Sequence, residues 1–203
     1  MSLYYHTGRL LALTVVPVLA RVRVEDAHHI PDQGPFLILS NHQSALDPLC
    51  IQTRTRRIVH SMTKSTQFSK PFFRWLLPRL RAFPTRRYKV DPHAVRVTLR
   101  LLGAGEGVCI YAEGERTWTG ELQPLRSGTI RVALKAGVPV IPCGISGAFR
   151  SRPRWSGTFR RTDVLVRFGE PIHFGAHDDR AERERALPGA RARLEGALRE
   201  LTT

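Results

Sequence analysis

The run Phe36-Leu37-Ile38-Leu39 is apolar at every position and only four residues long. A half-buried strand would alternate, and an amphipathic helix would repeat every three to four residues. A short run that does neither fits a strand covered on both faces, as in a parallel sheet with helices above and below. Residues 108–111 and 138–141 read as further short strands, and residues 164–168 alternate like another. The intervening stretches carry helix signals. Asp47-Pro48 and Asp91-Pro92 place a capping side chain ahead of a proline suited to the first helical turn. Val95, Leu99 and Leu102 form an apolar stripe over residues 93–102, which Gly103 can end, and Ser127–Ala136 reads as a helix closed by Gly137. Strands alternating with helices predict an α/β fold: a single domain with a mostly parallel sheet flanked by helices. A chain of 203 residues suits one domain.

The N-terminal segment 10–20, LLALTVVPVLA, is apolar but shorter than the roughly 20 residues that span a bilayer. It predicts an N-terminal apolar helix over residues 1–22 that lies at an interface or docks on the core, ahead of a domain over 23–203. At a membrane, Tyr4, Tyr5 and Arg9 would sit at headgroup level.

The formal net charge is +15, and its distribution narrows the partners. Residues 48–90 hold eleven Lys or Arg and no acid; residues 122–162 hold eight and again no acid. Such blocks imply an anionic partner: nucleic acid, an acidic membrane surface or a phosphorylated small molecule. Residues 178–200 mix signs and read as a solvated helix. Three widely spaced cysteines, Cys50, Cys109 and Cys143, form no CxxC pair, which argues against a disulfide framework or zinc site and suits a reducing compartment.

Ligands of open α/β sheets bind at the carboxyl ends of the strands. After the first strand comes Asn41-His42 with Asp47; after the second, Glu113-Gly114-Glu115-Arg116; after the third, residues 142–147. His42 is a proton acceptor near neutral pH, and a carboxylate on its other ring nitrogen would fix the tautomer. Five residues is too far for one helical face, so the pair must meet across a loop. From spacing alone, a helix cap beside a loop histidine is the simpler reading. Likewise, Gly114 and Arg116 make either a phosphate-contacting turn or a polar turn in which the arginine pairs with a glutamate. Other patterns fail. Residues 103–107 are glycine-rich but follow a helix instead of a strand. Gly144-Ile145-Ser146-Gly147-Ala148 lacks the second glycine of a nucleophile elbow. His28-His29 has no metal-ligand spacing, so no metal is expected.

Taken together, Asn41-His42-x4-Asp47 and Glu113-Gly114-x-Arg116 resemble the NHxxxxD and EGTR blocks of the glycerolipid acyltransferase family, typified by 1-acylglycerol-3-phosphate acyltransferases. Phe83-Pro84-Thr85-Arg86-Arg87, Leu125-Arg126-Ser127-Gly128, Val138-Pro139-Val140-Ile141-Pro142 and Gly169-Glu170-Pro171-Ile172 look like further blocks in the same order, over residues 24–174. The resemblance implies His42 as general base and Asp47 as its orienting partner. It implies Arg116 and Arg87 as phosphate ligands, with Asn41, Glu113 and Gly114 completing the substrate site. It further implies acyl transfer from an acyl-CoA or acyl carrier protein thioester to lysophosphatidate, with glycerol 3-phosphate, another lysophospholipid or a glycolipid as alternative acceptors, and no cofactor. Glu115 departs from the pattern, which has threonine there, and Arg86 stands where an acid is common.

A lipid acceptor implies an anionic membrane surface as partner, at the cytoplasmic face, with the protein peripheral or monotopic. Residues 69–83 interleave Phe72, Phe73, Trp75, Leu76 and Leu77 with basic side chains. They read either as an amphipathic helix packed on the core or as a membrane-facing surface. The competing class is a nucleic-acid binder, in which Trp155 and Phe159 within residues 150–161 would stack on bases. It leaves the ordered motifs unexplained, and no nucleic-acid partner is expected.

Overall fold

The computed structural model describes residues 3–86 and 91–203. In chain order the helices are α1 (Leu3–Leu19), α2 (Asp47–Arg54), α3 (Pro71–Arg79), α4 (Pro92–Gly103), α5 (Ser127–Ala136), α6 (Ala148–Ser151) and α7 (Arg180–Thr202). The strands are β1 (Ala20–Glu25), β2 (Phe36–Ser40), β3 (Val59–Lys64), β4 (Ala82–Thr85), β5 (Gly107–Tyr111), β6 (Val140–Ser146) and β7 (Thr162–Phe168). They form one seven-stranded sheet in the order β1-β7-β6-β2-β5-β3-β4. Every neighbouring pair is parallel except β6 with β7, so the expected mostly parallel sheet flanked by helices is what forms.

The apolar run explains the centre of the sheet. Phe36 and Ile38 point into one core, with Val16 of α1, Ile51 of α2 and Ala148 of α6. Leu37 and Leu39 point into the other, with Leu102 of α4, Ile130 of α5 and Leu194 of α7. Fully burying a side chain of this size stabilises the fold by about 1.5–3 kcal/mol. This strand therefore outweighs the weak propensities of the polar loop that follows it. Gly107 opens β5 because a Cβ there would overlap the Phe36 ring.

Several boundaries differ from the sequence expectation. The N-terminal helix ends at Leu19, and residues 20–22 begin β1, whose Val22 and Val24 pair with Val164 and Val166. Asp47 does not cap α2 from outside. It is the first residue of the helix, and Leu46 holds the cap position without a side-chain bond. The third strand does not stop at Ile141. As the parallel ladder from β2 ends at Cys143, the antiparallel ladder to β7 takes over through Ser146. Gly144 permits α7 to approach, since a Cβ there would collide with Leu201. Residues 69–83 are two elements. Arg81 adopts a left-handed conformation after α3, and the chain re-enters the sheet as β4, burying Phe83. No helix among the described residues is long and apolar enough to cross a membrane.

Candidate active site

The site grows from the carboxyl ends of β2 and β5, adjacent parallel strands. Past Ser40 the ladder gains one more bond, from the Ala112 amide to the Ser40 carbonyl at 2.8 Å. The chain then turns through residues 41–44, all four buried.

His42 and Asp47 meet. Nδ1 of His42 lies 2.8 Å from Oδ2 of Asp47. The same oxygen accepts the amides of Gln43 at 2.7 Å and Ser44 at 2.8 Å. Asp47 therefore bonds backwards onto the loop it follows, folding five residues into a closed corner. Its side chain is fully buried, so the contact is shielded from water. The His42 ring stacks on Tyr111, the last residue of β5, with centroids 3.8 Å apart and planes 15° apart. Stacking fixes the ring plane, the Asp47 bond fixes rotation within it, and the paired Nδ1 carries the proton in the neutral ring. The arrangement can take up a proton at Nε2 and balance the resulting charge with Asp47.

The second motif holds the first in place. Glu113 accepts the His42 amide on Oε1 at 2.7 Å and the Gln123 amide on Oε2 at 3.0 Å. Both carboxylate oxygens accept backbone amides, so Glu113 braces the two loops that frame the site. Burial pushes its carboxyl up to about 7, against the lowering effect of those two amides. The Thr117 amide returns a bond to the His42 carbonyl at 2.7 Å. Gly114, at φ +75, makes the turn between them, and a Cβ there would crowd Arg126.

Asn41 is also a brace. Its amide donates to the Ile145 carbonyl at 2.8 Å and accepts the Ile145 amide at 2.7 Å, tying the loop to β6. Those bonds use both ends of a side chain expected to face substrate. Arg116 lies half-buried in the loop after β5. Arg87 lies outside the described residues; its neighbour Arg86 donates its backbone amide to Asp91 at 2.7 Å.

The departure at Glu115 has a local explanation. Its carboxylate contacts Arg154 at 2.6 Å and Arg126 at 3.4 Å, so the added acid sits between two guanidinium groups. Sequence reasoning missed Arg154, whose only signal was membership of a basic block. It also missed Gln43, which donates to the Gly120 carbonyl at 2.8 Å and accepts the Phe149 amide at 3.2 Å, joining the corner to α6. Gln43 is an unspecified position of the motif and carried no signal.

The cysteines offer no competing nucleophile. All three are buried; burial pushes the Cys50 thiol up to about 12 and raises Cys109 and Cys143 as well.

A family model for acyltransferases matches residues 21–146, more than half of the chain. The 1-acyl-sn-glycerol-3-phosphate acyltransferase of Bacillus subtilis is 26% identical over 153 residues, covering 75% of this chain and 74% of that protein. The human 1-acyl-sn-glycerol-3-phosphate acyltransferase alpha is 29% identical over 137 residues, covering 62% of this chain and 46% of the human one. The chain spans about half the length of such plant and mammalian relatives. Among solved structures, the 1-acyl-sn-glycerophosphate (LPA) acyltransferase PlsC of Thermotoga maritima superposes with a TM-score of 0.73, covering 95% of this chain and 79% of that one. At 22% sequence identity this shows a shared fold. With the matched span enclosing His42, Asp47, Glu113 and Arg116, the chain belongs to the acyltransferase family of enzymes.

Proposed function

We propose that the protein transfers an acyl group from an acyl thioester to the free hydroxyl of lysophosphatidate, giving phosphatidate. The observation that carries this reading is the 2.8 Å contact between His42 Nδ1 and Asp47 Oδ2, inside a family-matched span. The names of the matched relatives favour this acceptor. His42 Nε2 removes the acceptor's hydroxyl proton as the oxygen attacks the thioester carbonyl. The tetrahedral intermediate collapses with cleavage of the C–S bond, and the departing thiolate takes the proton from the imidazolium. An ester and a free thiol result, and no protein group is acylated. Base catalysis of this kind contributes about 10²–10⁴-fold. Arg116, with Arg87, holds the acceptor's phosphate in the manner suited to a guanidinium fork. The acidic headgroups of coenzyme A and acyl carrier protein both suit the basic surface as donors.

Access to a lipid acceptor fits α1 and α3. They lie side by side, with Gly8 against Leu80, and leave Leu10, Val18, Phe72 and Trp75 exposed. The Arg79 guanidinium sits 4.4 Å from the Trp75 ring centroid, an aromatic and a cation together as at a headgroup boundary. On this reading the protein works peripherally or monotopically at the cytoplasmic face of an anionic membrane. Sedimentation with vesicles should rise with anionic lipid content and fall with salt; absence of binding at every salt concentration removes the membrane part.

The function is tested with one labelled acyl-CoA and a panel of lysophosphatidate, glycerol 3-phosphate, another lysophospholipid and a glycolipid. Lysophosphatidate should be used best, and His42→Ala should abolish turnover while the far-UV spectrum stays unchanged. Preference for another acceptor overturns the assignment, and undiminished turnover by the variant overturns the mechanism.

A further inference from the structure

We propose that Arg154, anchored by Glu115, is a positioning residue for the acceptor-phosphate loop and fixes Arg116 from the segment that follows α6. This rests on the proposed role of Arg116. One guanidinium makes three contacts, and together they straddle that residue. Nη1 of Arg154 lies 2.6 Å from Glu115 Oε2 and donates to the Arg116 carbonyl at 3.1 Å. Its Cζ lies 3.8 Å from the centroid of the Trp118 ring. Glu115, the Arg116 backbone and Trp118 are thus tied to a single rigid, planar group.

The loop needs such a tie. Gly114 takes a left-handed conformation, so the backbone is already committed to a turn few residues adopt. The ordered bonds from within the domain hold its first half: the Gly114 amide to the Tyr111 carbonyl at 3.0 Å, and Arg126 Nε to the Glu113 carbonyl at 3.2 Å. On the second half the Thr117 amide bonds the His42 carbonyl at 2.7 Å, and Arg154 adds the hold on Glu115 and on the Arg116 carbonyl itself. The pair is shielded: the Arg154 and Glu115 side chains are 21% and 17% exposed, against 53% for Arg126, the other partner of Glu115. Shielding strengthens a charge pair relative to one in water.

The arrangement also accounts for an acid where the family motif has threonine. A threonine hydroxyl is shorter and uncharged, and it could not hold a guanidinium in this way. Glu115 and Arg154 therefore form a pair in which each makes the other tolerable, since a lone carboxylate beside a phosphate site would repel the ligand. The far end of the pair is anchored as well. Phe149, on α6, gives its amide to Gln43 and packs on Gly120, so the segment carrying Arg154 is registered against the His42 corner.

The test compares wild type, Arg154→Ala, Arg154→Lys, Glu115→Thr and the double variant Arg154→Ala/Glu115→Thr. Kinetics use whichever acceptor of the panel the wild type turns over. Arg154→Ala should raise the acceptor KM about tenfold and leave the donor KM within about twofold. Glu115→Thr should raise it about threefold, and the double variant should be no worse than Arg154→Ala, because both changes remove one latch. Arg154→Lys, which keeps the charge without the planar fork, should fall between. Independently of any substrate, amides 113–118 should exchange with deuterium about tenfold faster in Arg154→Ala. An unchanged acceptor KM, equal rises in donor and acceptor KM, or additive single effects would each overturn the proposal. Failure of the wild type to use lysophosphatidate counts against the proposed function alone, and the exchange rates then decide whether the latch exists.

Discussion

The loop after β2 and the loop after β5 lie side by side, yet they are held in different ways. Residues 41–44 are buried, and short backbone and side-chain bonds of 2.7–2.8 Å run from them to Asp47, Glu113 and Ile145. Residues 114–116 are half-buried and are tied by long arginine side chains from other elements. On the proposed roles of the two loops, the difference follows from chemistry. A general base works only with its ring plane and tautomer fixed, and buried hydrogen bonds fix both. A phosphate-binding turn must keep charge within reach of solvent and ligand. Partly buried ion pairs can hold it without the full cost of burying several charges.

The sharpest way to break this comparison is Asp47→Asn. It keeps the shape of the corner, since a carbonyl oxygen can take the place of Oδ2 and accept the same three donors, but a neutral amide cannot balance an imidazolium. Steady-state turnover should fall about 10³-fold with both KM values little changed. A loss below about tenfold would mean that Asp47 serves the loop and not the base.

Glu113 offers a second test, through pH. Its folded carboxyl, pushed up to about 7, binds a proton that the unfolded chain releases above about 4.5. Its favourable contribution is therefore present below pH 4.5 and lost as pH rises through 7, a change of up to about 3 kcal/mol. Chemical denaturation of the wild type should show stability declining over that window, and Glu113→Gln should flatten the slope. Identical slopes would show that Glu113 does not hold a proton in the folded state.

The smallest effect is expected at Asn41. Alanine there leaves the Ile145 amide and carbonyl buried without their partner and should cost about 2 kcal/mol of stability. The urea midpoint should drop, while turnover at temperatures well below unfolding stays within about tenfold of wild type. A larger kinetic loss with unchanged stability would favour the substrate-binding role for Asn41.

Much of the sheet was legible because its centre is written in apolar residues. The four strands expected from the sequence all form, although β6 runs longer than its apolar stretch. β1, β3 and β4 were not legible. VHSMTK and AFPT carry few apolar residues because they lie toward one edge of the sheet, and their pairing to β5 and to each other supplies the bonds that their side chains do not advertise. At the site, the chemically distinctive types stood out: a histidine, a carboxylate, and an arginine after a glycine. Their partners did not. Gln43, Gln123 and Ile145 contribute backbone groups or an ordinary amide, which leave no mark in residue type.

The sequence by itself determined the α/β class, the two loops at the carboxyl ends of β2 and β5, and the resemblance that names the chemistry. These depend on local periodicity and on motif order, which a linear chain carries. Only the tertiary structure decided what each side chain touches. It brought Asp47, a helix cap by spacing and a partner of His42 by resemblance, to 2.8 Å from the His42 ring, tied Glu113 and Asn41 to backbone groups, and placed Glu115 between Arg126 and Arg154. Those contacts join residues as much as 104 positions apart, whose distances are set by strand pairing and burial.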